Sequence, residues 1–233
     1  MNRADYLEQL GLLGDTVARA IWGFAVWDGM YSNITQLATA YEEYPDFFEL
    51  VACSSFDYSL LHAAKALDYD SDTASFWTIL KAAGSQRNST GVTLNTSEIR
   101  GIKRTLSTHG DARTLIEFLR TVLGHSIPPS NLRPAVKTKY QAIKQNHKMF
   151  VNGDDTKEPL GQVKDLLADM KILYNLIAQK SGTTMRIHAA LPVKARKDTK
   201  SVLRLVSADW QQKKADRERL IDASLRERAA SKP

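Results

Sequence analysis

The feature that most constrains the fold is the helical spacing of apolar residues along the chain. Over residues 4–31 apolar side chains recur at steps of three and four positions, and the same period returns over 160–179. Residues 46–67 are apolar on almost all sides, which is typical of a helix at the centre of a bundle. The alternating pattern of strands is not found. The sequence therefore predicts an all-α fold, a helical bundle with a basic helical extension at its C-terminal end.

Breaks between the predicted helices suggest a large domain followed by a basic C-terminal part. Further helices are predicted at 34–42, 74–83, 97–108, 111–123, 134–147 and 202–229, most of them separated by Pro or Gly. The stretch 186–200 contains Pro192, is basic and lacks an apolar period, so we interpret it as a linker or arm. The resulting prediction is a helical domain at 1–182, a basic linker at 183–200, and a basic helix with its tail at 201–233.

Charge is divided unevenly between the two halves of the chain. Residues 1–132 contain 10 Lys and Arg against 15 Asp and Glu, whereas residues 133–233 contain 22 against 11. Such asymmetry indicates a polyanionic partner, for example RNA, for the basic half. The alternative is that the last helix has a solvated Lys and Arg face and no such partner.

Several classes of protein are excluded by what the sequence lacks. A single cysteine excludes an internal disulfide framework and fits a reducing cytoplasm. Neither a signal peptide nor an apolar run of about 20 residues is present, so we expect a cytoplasmic protein with no membrane contact. Phosphate-binding loops, nucleophile elbows and zinc-protease helices are missing too. We expect no cofactor and no metal.

Two pairs of Arg and His share a spacing that suits RNA cleavage without a metal. Arg104 and His109 are separated by four residues, and so are Arg120 and His125. In such a pair the Arg would stabilise the charge of the transition state while the His moves a proton. With 15 Arg and 5 His in the chain, about one match to a spacing of this kind is expected by chance.

The order of segments resembles the HEPN superfamily, in particular its abortive-infection, AbiU-like branch. The corresponding segments are Pro-Asp-Phe-Phe at 45–48, His-Ala-Ala-Lys-Ala-Leu-Asp at 62–68, Ser-Phe-Trp-Thr-Ile-Leu at 75–80, and Asn-His-Lys-Met-Phe-Val-Asn-Gly-Asp at 146–154. The helix at 160–179 corresponds to the closing helix of the family. The resemblance covers about residues 1–182, and it implies a HEPN-like bundle, metal-independent ribonuclease chemistry and a homodimer with two facing motifs.

The segment 146–154 departs from the motif of the family at its two reactive positions. Asn146 stands where the family has Arg and Asn152 where it has His, while Lys148 and Asp154 are kept. An Asn side chain supplies neither a fixed positive charge nor a titrating group. By this resemblance the site is degenerate, and His147 and Lys148 are left for binding a phosphate. The alternative is that the segment is only a helix end followed by a turn.

Three functions remain open on the sequence alone. The first is a non-catalytic HEPN-like protein that binds RNA or a protein partner, within antiviral defence by abortive infection. A second is an active metal-independent ribonuclease that uses Arg104 with His109 or Arg120 with His125. A third is a helical scaffold whose last helix docks onto another protein.

Overall fold

The structure, a computed structural model, describes residues 1–33, 38–39, 41–42, 44–70, 72–110, 113, 116 and 157–230. These residues are mostly helical and include no strand, which confirms the predicted all-α class. Within the described residues seven helices are defined: α1 (Arg3–Tyr31), α2 (Pro45–Ala66), α3 (Phe76–Ser85), α4 (Arg87–Thr90), α5 (Thr96–Ser107), α6 (Lys157–Lys180) and α7 (Ala190–Ala230). No helix in these ranges is both long and apolar enough to cross a membrane.

The first of two compact units comprises Met1–Phe24 and Phe56–Leu191. Its core is made of the apolar sides of α1, α2, α3, α5 and α6, and it includes the buried residues Leu10, Leu60, Ile79, Leu106 and Met170. Arg3 at the start of α1 donates hydrogen bonds to two main-chain carbonyls, at 2.8 Å to Thr90 and at 3.1 Å to Ser181. Because both acceptors belong to buried residues, these bonds satisfy carbonyl groups that water reaches poorly.

The second compact unit comprises Ala25–Ser55 and Pro192–Pro233. Its buried apolar residues come from the end of α1, the start of α2 and the first turns of α7, namely Ala25, Trp27, Met30, Phe48, Ala52, Ala195 and Leu203. Within this unit the rings of Phe47 and Phe48 meet edge to face, with their centroids 5.2 Å apart. The small number of buried residues shows that most of α7 lies at the surface.

The start of α2 differs from the sequence prediction in two respects. Pro45 is the first residue of α2, one residue before the predicted start at residue 46, as suits a ring whose fixed φ matches a first turn. Phe47 and Leu50 are 58% and 65% exposed, so the helix is not buried on all sides. Hydrophobic composition shows which residues can be buried, but the neighbouring elements decide which of them are covered.

Side chains close the N-terminal ends of α3 and α5. The Ser75 hydroxyl accepts a hydrogen bond from the main-chain N–H of Thr78 and caps α3. The Asn95 side chain accepts from the N–H of Glu98, whose carboxylate accepts from the N–H of Asn95. This reciprocal pair is a capping box, and it fixes the first residue of α5.

Helix α7 begins within the stretch that we predicted to be a linker. It starts at Ala190, twelve residues before the predicted start at residue 202. Pro192 lies in its first turn, where a missing N–H leaves no helical hydrogen bond unmade. The segment from residue 190 onward is therefore a helix rather than an aperiodic arm, while the domain boundaries at 182 and 200 stay predictions.

Candidate nucleic-acid interface

Four exposed basic side chains lie in a line along one side of α7. Lys194, Lys197, Lys200 and Arg204 follow each other at steps of three, three and four residues, which a helix of 3.6 residues per turn brings onto one side. Within the part of the chain that the structure describes, none of the four forms an ion pair. We call these four residues the basic stripe.

The opposite side of α7 is anchored within the second unit. Ala195 and Leu203 are buried there. Arg196 also belongs to this side, and its Nε atom lies 2.6 Å from Oδ2 of Asp28 on α1. Burial and the ion pair together fix the rotation of α7 about its axis, and the basic stripe is thereby directed to solvent.

A glycine allows α7 to approach the end of α1 closely. A Cβ atom at Gly29 would lie 3.2 Å from the Cα atom of Arg196 and 3.2 Å from the Cβ atom of Thr199. Such contacts are tighter than van der Waals packing allows for most side chains, and one of them is to main chain. Gly29 therefore contributes to holding the first turns of α7 in place.

Two of the cations further along α7, Lys213 and Arg219, are engaged with carboxylates. The Nζ atom of Lys213 lies 2.8 Å from Oδ2 of Asp209 and donates a hydrogen bond to the Tyr44 hydroxyl at 3.1 Å. The hydrogen bond to Asp209, followed by that to Tyr44, holds the pKa of the Lys213 ammonium above its ordinary value. Arg219 lies 3.7 Å from Asp216. These cations differ from the basic stripe because a carboxylate accompanies them.

The net charge of α7 is accordingly concentrated in its first turns. Residues 192–206 contain five basic residues against one acidic residue, whereas residues 207–224 contain four of each. The spacing of the basic stripe can be read from the sequence. The helix that brings its residues onto one side was not predicted, because Pro192 and the sparse apolar positions do not indicate a helix.

One of the two predicted Arg and His pairs lies within the described residues. Arg104 is exposed on α5, and His109 follows the end of that helix. The His109 side chain is 13% exposed, and its Nε2 atom lies 2.9 Å from Oδ2 of Asp169 on α6. Among the described residues the Arg104 side chain forms no hydrogen bond or ion pair, so no interaction of that kind brings it to His109.

The other predicted site residues lie outside the described residues. They are Arg120, His125, Asn146, His147, Lys148, Asn152 and Asp154, all within 117–156. The helix predicted after them at 160–179 is confirmed as α6, which begins at Lys157 and ends at Lys180. The roles assigned to these residues therefore stay predictions.

His62 on α2 is half-buried. Among the described residues its buried Nδ1 atom has no hydrogen-bond partner, and its ring meets Tyr58 edge to face at 4.4 Å. Desolvation lowers the pKa of the imidazole, and the positive charges of Lys65 and Arg19 lower it further. The neutral ring is therefore the form that the folded chain favours.

A cavity of about 450 Å³ lies in the first unit beside α1 and α6. Asp15, Tyr174, Arg186 and His188 contribute polar groups to its wall. Burial, and then the nearby charge of Asp15, raise the pKa of the Tyr174 hydroxyl. The wall of the cavity is therefore partly polar. Among the described residues no three His, Cys, Asp or Glu side chains lie close enough together to bind a metal ion.

The chain was compared with family models, with curated proteins and with solved structures. None of the three comparisons found a match. Function is therefore inferred from the chemistry of the residues of this chain.

Proposed function

We propose that this chain is a non-catalytic helical protein that binds RNA through the phosphate groups of its backbone. The observation that carries the proposal is the basic stripe, four exposed cations in line on α7 with no ion pair among the described residues. From residue 194 to residue 204 the stripe extends about 15 Å along the helix axis. An array of ammonium and guanidinium groups at this spacing suits consecutive phosphates, and it binds them without reading sequence.

The anchoring of α7 supports the same proposal. Because Arg196 pairs with Asp28 and Leu203 is buried, the stripe is held on the outer side of a packed helix. Pre-ordering of the main chain lowers the entropy that is lost when cations engage a strand of phosphates.

The relationship to the HEPN superfamily is part of the proposal and is supported by the sequence alone. It adds that the protein lacks ribonuclease activity, because Asn146 and Asn152 replace the reactive Arg and His. It also adds a homodimer, a cytoplasmic location and a role in antiviral defence by abortive infection. Light scattering on the full chain tests the dimer, since a monomer at micromolar concentration would contradict the proposed homodimer.

Binding of single-stranded RNA to the full chain tests the central proposal. A stripe variant carries Lys194→Gln, Lys197→Gln, Lys200→Gln and Arg204→Gln. A control variant loses the same charge at exposed or half-buried positions of the first unit, through Lys65→Gln, Lys164→Gln, Lys171→Gln and Arg19→Gln. We expect the stripe variant to bind at least about tenfold more weakly than the wild type, because each lost phosphate contact weakens binding uniformly across sequences.

The control variant is expected to stay close to the wild type. Equal losses in both variants would show that net charge alone attracts RNA, and no binding by the wild type at low salt would overturn the proposal. In that second case a protein partner becomes the better explanation of the stripe.

A second candidate function, metal-independent RNA cleavage, is favoured by the contact between His109 and Asp169. A carboxylate at 2.9 Å fixes the orientation of the imidazole, as it does for a general base. Cleavage of RNA in the presence of a chelator, measured for the wild type and for His109→Ala, His125→Ala and His147→Ala, separates the two functions. Activity that one of these substitutions abolishes would contradict the non-catalytic proposal.

A further inference from the structure

Two aromatic rings of the first unit are stacked at the protein surface. Tyr69, in the turn between α2 and α3, and Trp77, the second residue of α3, have ring centroids 4.8 Å apart and planes only 7° from parallel. Tyr69 remains 66% exposed although one of its faces is covered by the indole. Most of its other face is therefore open to solvent. We call these two rings the aromatic platform.

Hydrogen bonds hold the platform in a fixed orientation. The indole Nε1 of Trp77 donates to the main-chain carbonyl of Leu67 at 2.8 Å. The guanidinium of Arg113 donates to the Tyr69 hydroxyl at 2.9 Å, and its Cζ atom lies 5.8 Å and 5.9 Å from the centroids of Tyr69 and Trp77. A ring held in this way loses little conformational freedom when a further ring stacks on it.

The platform forms one wall of a cavity of about 390 Å³ whose other walls include two cations. Lys81 on α3 and Lys103 on α5 line it together with Tyr69 and Trp77. Both lysines are exposed, and neither forms an ion pair within the described part of the chain. An open aromatic face next to two ammonium groups is the combination that suits a base and the phosphate attached to it.

The Asp68 and Asp70 carboxylates, which are next to Tyr69 in the sequence, accept hydrogen bonds from main-chain N–H groups of their own turn. Oδ1 of Asp68 accepts a hydrogen bond from the N–H of Asp70, and Oδ1 of Asp70 accepts from the N–H of Asp72. These bonds satisfy part of the negative charge of the turn. With Lys81, Lys103 and Arg113 nearby, the surroundings of the platform stay suitable for an anion.

From this arrangement we infer that the platform binds an unpaired base of RNA, stacked on Tyr69, while Lys81 and Lys103 contact the adjacent phosphates. The inference rests on the proposed function, since it assigns RNA as the ligand of the first unit as well. It also specifies the ligand as single-stranded, because a base within a duplex offers no free face to an aromatic ring. The basic stripe alone would not discriminate between single strands and duplexes.

Fluorescence of 2-aminopurine tests the stacking directly. The probe is a single-stranded RNA of twelve nucleotides with 2-aminopurine at its centre, titrated with the full-length wild type and with Tyr69→Leu and Tyr69→Phe. We expect the wild type to quench the probe and Tyr69→Phe to match it within about twofold, since the ring is kept. Tyr69→Leu should bind between about fivefold and about 150-fold more weakly, the range measured for loss of one stacked base.

A duplex ligand and a lysine variant test the other parts of the inference. The same strand annealed to its complement should bind less tightly than the single strand, and the double variant Lys81→Gln/Lys103→Gln should weaken single-strand binding. Thermal unfolding of the lysine variant should match that of the wild type, because both lysines are exposed and form no ion pair among the described residues. If Tyr69→Leu unfolds early, the lysine variant with an unaltered platform keeps the test decisive.

The outcomes separate this inference from the proposed function. If Tyr69→Leu and the lysine variant bind and quench like the wild type while the stripe variant loses affinity, the platform is not a contact and the proposed function stands. If the wild type does not bind the probe at all, both are wrong. Titration with AMP distinguishes the source of the base, since AMP that binds as tightly as the strand would identify a free nucleotide and overturn the assignment to RNA.

Discussion

The Nε2 atom of His109 lies 2.9 Å from Oδ2 of Asp169, which joins the segment after α5 to α6. With the His109 side chain 13% exposed and that of Asp169 35% exposed, water competes only in part for this contact. The same contact orients an imidazole and ties two elements of the first unit together. Its structural and its chemical roles can be separated by substitution.

His109→Ala is expected to lower the free energy of unfolding by about 1 kcal/mol, because it leaves a partly buried carboxylate without its partner. Asp169→Asn should lower the free energy of unfolding by less, since the amide oxygen can still accept a hydrogen bond from the His109 ring. Urea unfolding measures both, with His188→Ala at an exposed position as the control. A His109→Ala variant as stable as the wild type would show that the contact does not stabilise the fold.

Gly14→Ala is expected to destabilise the first unit by about 1 to 3 kcal/mol, the range typical of overpacking. A Cβ atom at this position would collide with the hydroxyl end of the Tyr174 ring, which is buried. The matched control is Gly101→Ala on α5, where nothing lies within 4 Å of the added atom. Because alanine is more favourable than glycine within a helix, the free energy of unfolding of the control should rise by about 0.5 to 1 kcal/mol. A lower free energy of unfolding in both variants would contradict the explanation.

Acidification is expected to destabilise the protein partly through His62. Burial, and then Lys65 and Arg19, lower the pKa of its imidazole below the ordinary 6.5 in the folded chain. The stability that the neutral ring contributes is therefore present above pH 6.5 and is lost as the pH falls through the lower folded pKa. His62→Phe removes the titrating group, so its free energy of unfolding should fall less than that of the wild type between pH 7.5 and pH 5.5.

The comparison of these two pH profiles is sensitive to His62 alone, because every other titrating group is shared. Parallel profiles would mean that the imidazole titrates alike in the folded and unfolded chains. The substitution leaves Tyr58 in place, so an edge contact between two rings is retained.

The long helices were predictable because their apolar period is sustained. Over α1 and α6 the spacing of apolar residues repeats for many turns, and both helices begin and end within three residues of the prediction. The capping box that starts α5 was also present in the sequence as Asn95 and Glu98, three positions apart. Local signals of this kind survive folding because they depend on neighbours along the chain.

What the sequence did not reveal depends on contacts between distant residues. The exposure of Phe47 and Leu50 is decided by the elements that do or do not cover α2. The stacking of Tyr69 on Trp77 requires the turn between α2 and α3 to fold back, and that turn reads in the sequence only as a set of acidic residues. The basic stripe was missed because a helix was not predicted through Pro192.

The salt dependence of RNA binding tests the central claim most directly. The logarithm of the association constant of the full chain for single-stranded RNA would be measured against the logarithm of salt concentration, for the wild type, the stripe variant and the control variant. Each phosphate contact contributes about 0.7 to the slope for a single strand, so loss of the basic stripe should reduce the slope by about 3 while the control keeps the slope of the wild type. Identical slopes for the stripe variant and the wild type would show that Lys194, Lys197, Lys200 and Arg204 do not contact phosphate, and would contradict the account.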